Sequence, residues 1–351
     1  MKNILLLFIF ISVSFSQDFD ELYFGTHDAL DIMTWNIEWF PKNGEVTVDY
    51  VTQIIDALDM DVLAIQELDN ISSFTTMLNE LTEYEGYFES SWFAGLAYIY
   101  KTETIQINDI YEIYITSPYW SPFPRSPMVM DMNFMGENYI IINNHFKCCG
   151  DDNLNLNDED DEETRRYIAS TLLKEYIDIN FSNTNVIVVG DLNDNLTDDP
   201  NNNVFQMIID DYENYLFADI EIAEGSSSEW SYPSWPSHLD HILITNELFD
   251  VFNNNDSYVE TVRIDDFMDG GFNAYDQNIS DHRPVAIKLA VNTIILGDIN
   301  NDGILNVLDI VAIINMILGN EYSLVADVNA DGFVNIVDVV LMVNILVGGL
   351  P

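Results

Sequence analysis

Between Leu30 and Asn292 the chain alternates short apolar runs of strand character with stretches of helical spacing. Leu-Asp-Ile-Met-Thr-Trp-Asn (30–36) reads as a strand. Val46 to Leu58 carries apolar residues at helical spacing, and Asp61 to Gln66 is again a strand, ending at Glu67. Ile71 to Leu81 predicts a helix. Gly95 to Lys101 and the two runs after it predict neighbouring antiparallel strands, because the links between them are too short for helices. Tyr139 to His145 is a strand that delivers a histidine, 151–163 an acidic loop expected to be mostly solvated, and Thr164 to Ile177 a helix. Asn185 to Asp191 is the most strand-like run of all. A Ser/Trp/Pro-rich loop (225–237) leads into a strand from Leu239 to Ile244, and Val285 to Ala290 supplies the last strand. This order predicts one mixed-sheet α/β domain over residues 17–292, regular from about residue 28.

Polar residues gather where these strands end or begin, which is where open α/β sheets place their sites. Trp35-Asn36-Ile37-Glu38 closes the first strand and Gln66-Glu67 the second. Asn144-His145, Gly190-Asp191-Leu192-Asn193 and Asp240-His241 follow, and Ser280-Asp281-His282-Arg283 precedes the last apolar run. These residue types suit metal-assisted phosphoester hydrolysis. Carboxylate and amide oxygens hold magnesium or manganese. An Asp can orient or deprotonate water, an Asn can hold that water or a phosphate oxygen, and histidines can stabilise the charge that builds on the phosphorane. Each cluster alone has a plainer reading: Asn36 as a turn residue, Glu67 as an ordinary surface acid, Asp191 and Asn193 as a helix cap and turn. The histidines separate the readings. Of five in the chain, His145, His241 and His282 stand at strand ends or starts beside Asn or Asp, and His238 lies just before Leu239-Asp240. His27 alone lacks such a setting.

Composition narrows the class. Apolar residues make up 48% and aromatic residues 13%, enough for a sizeable core. Sixty acidic residues against eleven basic give a formal net charge of −49. That charge argues against a nucleic-acid binder working through a broad basic face. It is compatible with a nuclease whose bound metal supplies the positive charge, with a solubilising surface in salty surroundings, and with calcium binding. Lys147, Arg165 and Arg166 fall near the motif strands, and Arg166 is expected to neutralise the acidic loop before it. The aromatic loop Trp230-Ser231-Tyr232-Pro233-Ser234-Trp235-Pro236 is open to two readings, stacking on a base or sugar and packing over the domain edge. Cys148 and Cys149 are adjacent and are the only cysteines; a vicinal disulfide, two reduced thiols and a metal-contacting role are all open. At the N-terminus, Lys2, the apolar run Ile4 to Val13 and Ser14-Phe15-Ser16 read as a signal peptide over residues 1–16, cleaved before Gln17, which predicts a secreted protein. No other segment is long and apolar enough to span a membrane.

The C-terminal residues 293–351 contain an internal repeat. Asp-Ile-Asn-Asn-Asp-Gly-Ile-Leu-Asn-Val-Leu-Asp (298–309) and Asp-Val-Asn-Ala-Asp-Gly-Phe-Val-Asn-Ile-Val-Asp (327–338) place oxygen side chains at positions 1, 3, 5, 9 and 12 of a calcium loop, with glycine at the turn. Position 12 is Asp in both loops. A helix is predicted after each, Ile310 to Leu318 and Val339 to Leu346, and none before the first.

With these motifs in order, the first domain resembles the endonuclease/exonuclease/phosphatase superfamily, the deoxyribonuclease-I-like fold, over nearly all of residues 28–292. The resemblance implies a four-layer α/β sandwich of two mixed sheets flanked by helices. It implies that Glu67 is the principal metal ligand, with Asn36 beside it and Asp281 near the metal, and Glu38 a secondary candidate. Asp191 and Asn193 would position or activate the attacking water. His282, oriented by Asp240, would bond the scissile phosphate or move a proton, and His145 matches a second histidine that can serve the leaving oxygen. Asn36 and Arg125 would contact the phosphate.

The tail, about 296–349, resembles a type I dockerin, a small all-α calcium-binding domain. That implies calcium on Asp298, Asn300, Asp302, Asn306 and Asp309, and on Asp327, Asn329, Asp331, Asn335 and Asp338, with backbone carbonyls from Ile304 and Phe333. The family's partner is a cohesin. Its recognition positions, usually polar in cellulosomal members, are here Val307-Leu308 and Ile336-Val337, so the expected partner is a cohesin-type or another surface protein. The expected whole is a secreted, monomeric, magnesium- or manganese-dependent phosphoester hydrolase with two calcium sites, most simply an extracellular endonuclease. A phosphodiesterase or phosphatase on lipids or small esters is the alternative, and a non-catalytic assembly component the rival of another class.

Overall fold

The computed structural model describes residues 19, 21–90, 93–291, 296–300, 304–319 and 321–348. The expected signal peptide and Asp302 lie outside them. The chain forms two compact units, Met1–Ala290 and Val291–Pro351.

The first unit runs β1 (Leu30–Phe40), α1 (Glu45–Leu58), β2 (Val62–Leu68), α2 (Ile71–Glu80), β3 (Tyr84–Tyr87), β4 (Gly95–Lys101), β5 (Ile105–Glu112), β6 (Met128–Phe134), β7 (Glu137–His145), α3 (Glu162–Asn180) and β8 (Asn185–Asp191). There follow α4 (Gln206–Ile209), β9 (Tyr215–Phe217), α5 (Ile220–Ala223), β10 (Asp240–Thr245), α6 (Phe249–Phe252), β11 (Tyr258–Thr261), α7 (Phe272–Asn278) and β12 (Val285–Leu289). Twelve strands make two six-stranded sheets, in the orders β11-β12-β1-β2-β4-β3 and β5-β6-β7-β8-β10-β9. In each sheet one parallel pair lies inside antiparallel neighbours: β1 with β2 across the link that forms α1, and β7 with β8 across the link that forms α3.

The long apolar runs of the central strands follow from burial on both faces. One face of the first sheet packs under α1, where Val51, Ile54, Ile55 and Leu58 meet Met33, Trp35, Leu63 and Ile65. One face of the second packs under α3, where Ala169, Leu173 and Ile177 meet Ile140, Ile142, Val186 and Val188. The inner faces meet each other across a buried polar network. The Tyr98 hydroxyl on β4 lies 2.8 Å from the Met128 carbonyl and 2.9 Å from the Ile141 carbonyl, and accepts from the Asn143 amide. Gln66 Nε2 on β2 donates to Asn143 Oδ1 on β7 at 2.7 Å. The result is the expected four-layer sandwich. In one respect the expectation fails: β4 and β5 are not neighbours but lie in different sheets, and the short link after Lys101 carries the chain from one sheet to the other. Two strands joined by a short link read the same in sequence whether they form a hairpin or cross between sheets.

The second unit has α8 (Val307–Gly319) and α9 (Ile336–Leu346) packed around Ile313, Ala326, Val339 and Met342. Each follows its loop, as predicted. The position-12 aspartates are buried and tie the loops together. Asp309 accepts from the amides of Ile299 and Asn306, at 3.0 and 2.9 Å, and Asp338 accepts from those of Asn329 and Asn335, at 3.2 and 2.8 Å. Asp327 accepts from Asp331 N and Gly332 N, the latter in the left-handed region at φ 86° where the loop turns. Within this loop Asn329 Nδ2 donates to Asp331 Oδ2 at 2.9 Å, and Asn335 Nδ2 to the Phe333 carbonyl at 3.3 Å.

Candidate active site

Register brings the polar clusters to one edge of the sandwich. Asp191 at the end of β8 is opposite His145 at the end of β7 and opposite Asp240 at the start of antiparallel β10. In the other sheet Asn36 on β1 is level with Gln66 on β2, one residue before Glu67. Antiparallel β12 begins at Val285 opposite Thr34, so the Asp281-His282 segment before it lies beside the same strand end. Asn36 Nδ2 then donates to Asp191 Oδ2 at 3.0 Å and joins the two sheets.

Backbone irregularities aim these side chains. β1 bulges between Asn36 and Phe40, with Glu38 and Trp39 at φ 33° and 51°; β2 is irregular before Leu68, with Glu67 at φ 63°. Non-glycine residues adopt the left-handed region at a cost, and bulges redirect side chains near sites. At Gly190 (φ 149°) a Cβ would sit 2.1 Å from the Asn144 carbonyl oxygen, so only glycine allows β7 and β8 to approach this closely just before Asp191.

Asp191 is the centre of the cluster. Its Oδ2 lies 3.5 Å from His145 Nε2 and 3.9 Å from His282 Nε2, and its Oδ1 accepts from the Asn193 amide at 3.1 Å. Asn193, at φ 57°, directs its Nδ2 to the Phe146 carbonyl at 3.4 Å. Burial, with the Asp240 and Glu67 carboxylates, raises the Asp191 carboxyl to about 7 against the pull of His282 and Asn36. His282 shows the reverse balance. Burial opposes its charge, but Asp240 and Asp191 outweigh it and raise the imidazole to about 10. Its Nδ1–H donates to Asp240 Oδ2 at 2.7 Å, leaving Nε2 toward the cleft. The Tyr232 ring lies 4.8 Å from the imidazole. The backbone here is fixed as well: Tyr275 Oη donates to the His282 carbonyl at 2.6 Å, and Ser280 Oγ donates to the Asn36 carbonyl at 2.6 Å. His145 is different again. Burial, then the charges of Arg125 and His282, push it well below the ordinary histidine value, so it is a neutral imidazole at neutral pH.

The cleft also carries hard oxygen donors of the kind that hold a divalent cation, and Asp191, Asp240 and His282 bring ligand atoms within 4.8 Å of one another. Glu67 Oε2 accepts from the Trp39 amide at 3.2 Å, while Oε1 lies 3.8 Å from His145 Nε2. Asp281 lies beside His282, with Oδ1 at 4.0 Å from Nε2, and its amide donates to Glu38 Oε2 at 2.9 Å. Asn36 Oδ1 accepts from the Glu38 amide, which leaves a second lone pair for an ion. The carboxylates of Glu38, Glu67, Asp191 and Asp281 crowd one cleft. Burial and the charge of Asp281 raise Glu38, although Lys42 pairs with it. Such a crowd of hard oxygens is what a hard divalent ion neutralises.

The cleft itself is about 560 Å³ and is also lined by Cys148, Cys149, Asn193, Trp235 and Leu239. Both cysteines are free and exposed, with their sulfurs 2.9 Å apart. Arg125 is half-buried near His145 and, among the described residues, has no carboxylate partner. Arg166 instead pairs with Asp194 at 2.7 Å and Glu163 at 3.3 Å, and Arg165 donates to the Ser121 carbonyl. The aromatic loop divides: Trp230 packs inward, its Nε1 donating to the Ile222 carbonyl at 3.1 Å, whereas Tyr232 and Trp235 reach the cleft.

Sequence reading did not find the support behind Asn193. Buried Asp219 accepts from His241 Nδ1 at 2.6 Å and His238 Nε2 at 3.1 Å, and His241 Nε2 donates to the Asp194 carbonyl at 2.9 Å. With both ring nitrogens donating, His241 is a cation. Burial alone would raise Asp219, but His241 and His238 hold it well below the usual carboxylate range; burial would lower His241, but Asp219 raises it. The depressed acid adds stability above its unfolded value near ~4, lost as pH falls. The raised histidine adds stability below ~6.5, lost as pH rises through its folded value. Asp219→Asn strands the imidazolium and is expected to cost about 3–5 kcal/mol near pH 6. In denaturant titrations that deficit should shrink as pH rises and His241 discharges; an equal deficit at pH 5.5 and 9 would contradict the ion pair.

Residues 33–282 match the model of the Endonuclease/Exonuclease/phosphatase family, and residues 296–347 match that of the dockerin type I domain. Among solved structures, D. rerio TDP2 complexed with single strand DNA product matches with a TM-score of 0.54 at 12% identity, over 74% of this chain and 98% of that one. The human Nocturnin catalytic domain with bound sulfate anion matches with 0.52 at 18%, over 75% and 93%. The endonuclease/exonuclease/phosphatase from Bacteroides vulgatus matches with 0.50 at 14%, over 74% and 98%. No curated protein matches the chain. At these identities the structures speak for the fold. The family match spans most of the chain, which therefore belongs to the Endonuclease/Exonuclease/phosphatase family as a phosphoester hydrolase, with a type I dockerin domain behind the hydrolase domain.

Proposed function

We propose that the chain is an exported, divalent-metal-dependent nuclease that cleaves phosphodiester bonds in this cleft and is held to a surface or assembly by its dockerin domain. One observation carries the reading: Asp191, with a carboxyl near neutrality, stands within 4 Å of Asn36, neutral His145 and cationic His282. Asn36, Glu67 and Asp281, with Glu38 behind them, would hold the magnesium or manganese ion. When bound, that ion supplies Lewis-acid polarisation of the phosphoryl group. Asp191 then accepts a proton from the attacking water, its pKa suited to a base at neutral pH. Asn193 helps to place that water. His282, fixed by Asp240, donates from Nε2 to the phosphoryl oxygen where charge builds. His145 presents the Nε2 of a neutral imidazole to the same cleft, and Arg125 adds a cation for the phosphate.

Nucleic acid is favoured by the aromatic rim. Trp39 is 47% exposed against Phe93 at 5.4 Å, and Trp235 is 78% exposed, which suits stacking of bases. The D. rerio neighbour holds a single strand DNA product, in keeping with this choice. The net charge of −49 favours the second reading, a phosphodiesterase or phosphatase on lipid or small esters. A spent domain serving only assembly is disfavoured, because the whole catalytic set is present. A hydrolysis panel on the full chain separates these: plasmid DNA, RNA, bis-(p-nitrophenyl) phosphate, a phosphomonoester and sphingomyelin, with magnesium or manganese. Cleavage of small or lipid esters with DNA and RNA intact would transfer the assignment to the second reading. No cleavage by folded protein would reject both.

Export is supported by the apolar N-terminal segment and by the extracellular occurrence of dockerin domains; no helix among the described residues is long and apolar enough to cross a membrane. A type I dockerin implies a cohesin-type partner. In α8 and α9 the exposed residues Val307, Leu308, Ile336 and Val337 would present an apolar contact to it. Dockerins bind calcium, and millimolar calcium should protect residues 298–338 of the full chain from proteolysis while magnesium does not. Identical cleavage there with calcium and with EDTA would refute calcium binding by the tail.

A further inference from the structure

The acidic loop before α3 contains a second group of oxygens apart from the catalytic cluster. Asp151, Asp161 and Glu163 each offer a carboxylate oxygen, and these lie within 4.8 Å of one another. Part of this has an ordinary explanation. Asp161 caps α3, its Oδ2 accepting from Thr164 N at 2.8 Å and Asn155 N at 3.2 Å, and acids are favourable at a helix N-terminus.

Glu163 is not explained in this way. It is only 2% exposed. Its Oε1 accepts from the Asp152 amide at 2.8 Å and lies 3.3 Å from Arg166 Nη2. Its Oε2 is buried with no hydrogen-bond donor. Arg166 directs its other donors elsewhere: Nε to Asp194, and Nη1 to the carbonyls of Lys147 and Cys149 at 2.8 and 2.6 Å. A buried carboxylate oxygen without a partner is costly. Gly150 packs so tightly on this carboxylate that a Cβ would fall 2.0 Å from Oε1, so the side chain is held in place.

We propose that Asp151, Asp161 and Glu163 bind a calcium ion, distinct from the catalytic metal and from the two dockerin loops. The oxygens are all hard, and exposed Asp151 leaves room for water, which suits the six to eight flexible ligands of calcium better than the rigid octahedron of magnesium. The consequence reaches the cleft. Arg166 ties Glu163 to the chain that follows His145, and Gly150, Asp152, Arg166 and Asp194 all line the catalytic cleft. The ion would fix that wall.

Hydrogen–deuterium exchange on the full chain tests the proposal, in EDTA, in calcium and in magnesium, with wild type, Asp151→Ala and Glu163→Gln. Calcium at about ten times its dissociation constant should slow exchange over residues 150–166 roughly tenfold in wild type. Magnesium should not. Both variants should lose this slowing while peptides from the second dockerin loop still respond to calcium. Asp151 is exposed, so its variant keeps the test sound if Glu163→Gln disturbs folding. Absence of slowing at residues 150–166 while the dockerin loop responds, equal slowing by magnesium, or slowing retained in Asp151→Ala would each overturn the site.

Discussion

Glu67→Gln is expected to reduce metal-dependent hydrolysis by roughly a thousandfold or more, equivalent to about 4 kcal/mol of transition-state stabilisation. The substitution keeps shape and can keep the bond from the Trp39 amide, so the fold should be unchanged. What it removes is the charge of the proposed principal ligand. A second effect has the opposite sign. The Glu67 carboxylate helps to raise Asp191, so without it the metal-free protein should lose repulsion and gain slightly in thermal stability. Calorimetric metal titration should show weaker binding alongside the kinetic loss. A variant that kept wild-type turnover would remove Glu67 from the metal site. One that lost activity together with its near-ultraviolet dichroism would mean Glu67 is structural.

The second large effect belongs to the buried Asp240–His282 pair. Asp240→Asn is nearly isosteric, but an amide cannot accept from Nδ1–H and stabilise the imidazolium as a carboxylate does. Hydrolysis is expected to fall by about 10²- to 10³-fold, no more than the loss of His282 itself. Asp240 contributes most to raising His282, so the variant's imidazole should titrate well below the wild-type value of about 10 when followed by NMR in metal-free protein. The sign for stability follows. A histidine raised in the folded state contributes fully below about 6.5 and loses that contribution as pH rises toward 10, so wild type should lose its advantage over Asp240→Asn across that interval. Because Asp240 acts through His282, the double variant with His282→Ala should be no slower than His282→Ala alone. Multiplicative losses would show that Asp240 has an independent role.

The central strands were legible because each is a local apolar run ending in chemistry-bearing residues, and the histidines were few enough for their placement to be informative. Asn36, Glu67, His145, Asp191, Asp240 and His282 meet because strand register brings their ends together, and register follows the apolar pattern. What was not legible is non-local. β3, β9 and β11 span 84–87, 215–217 and 258–261, too short for periodicity to mark them. The separation of β4 from β5 depends on which sheet each joins. The His238–Asp219–His241 network joins residues about twenty positions apart, and its only trace in sequence was His-Leu-Asp-His. Glu38, a secondary candidate from its place two residues after Asn36, is turned to the site by a bulge that the sequence does not mark, and Trp39 and Phe93 meet across a loop with no periodic signature.

The most direct measurement is plasmid nicking by the full chain, wild type beside His282→Ala, with magnesium or manganese and then with excess EDTA. The account predicts nicking by wild type that EDTA abolishes, that added metal restores, and that His282→Ala lacks by roughly a thousandfold. Nicking that persisted in EDTA, or that His282→Ala retained at the wild-type rate, would contradict it.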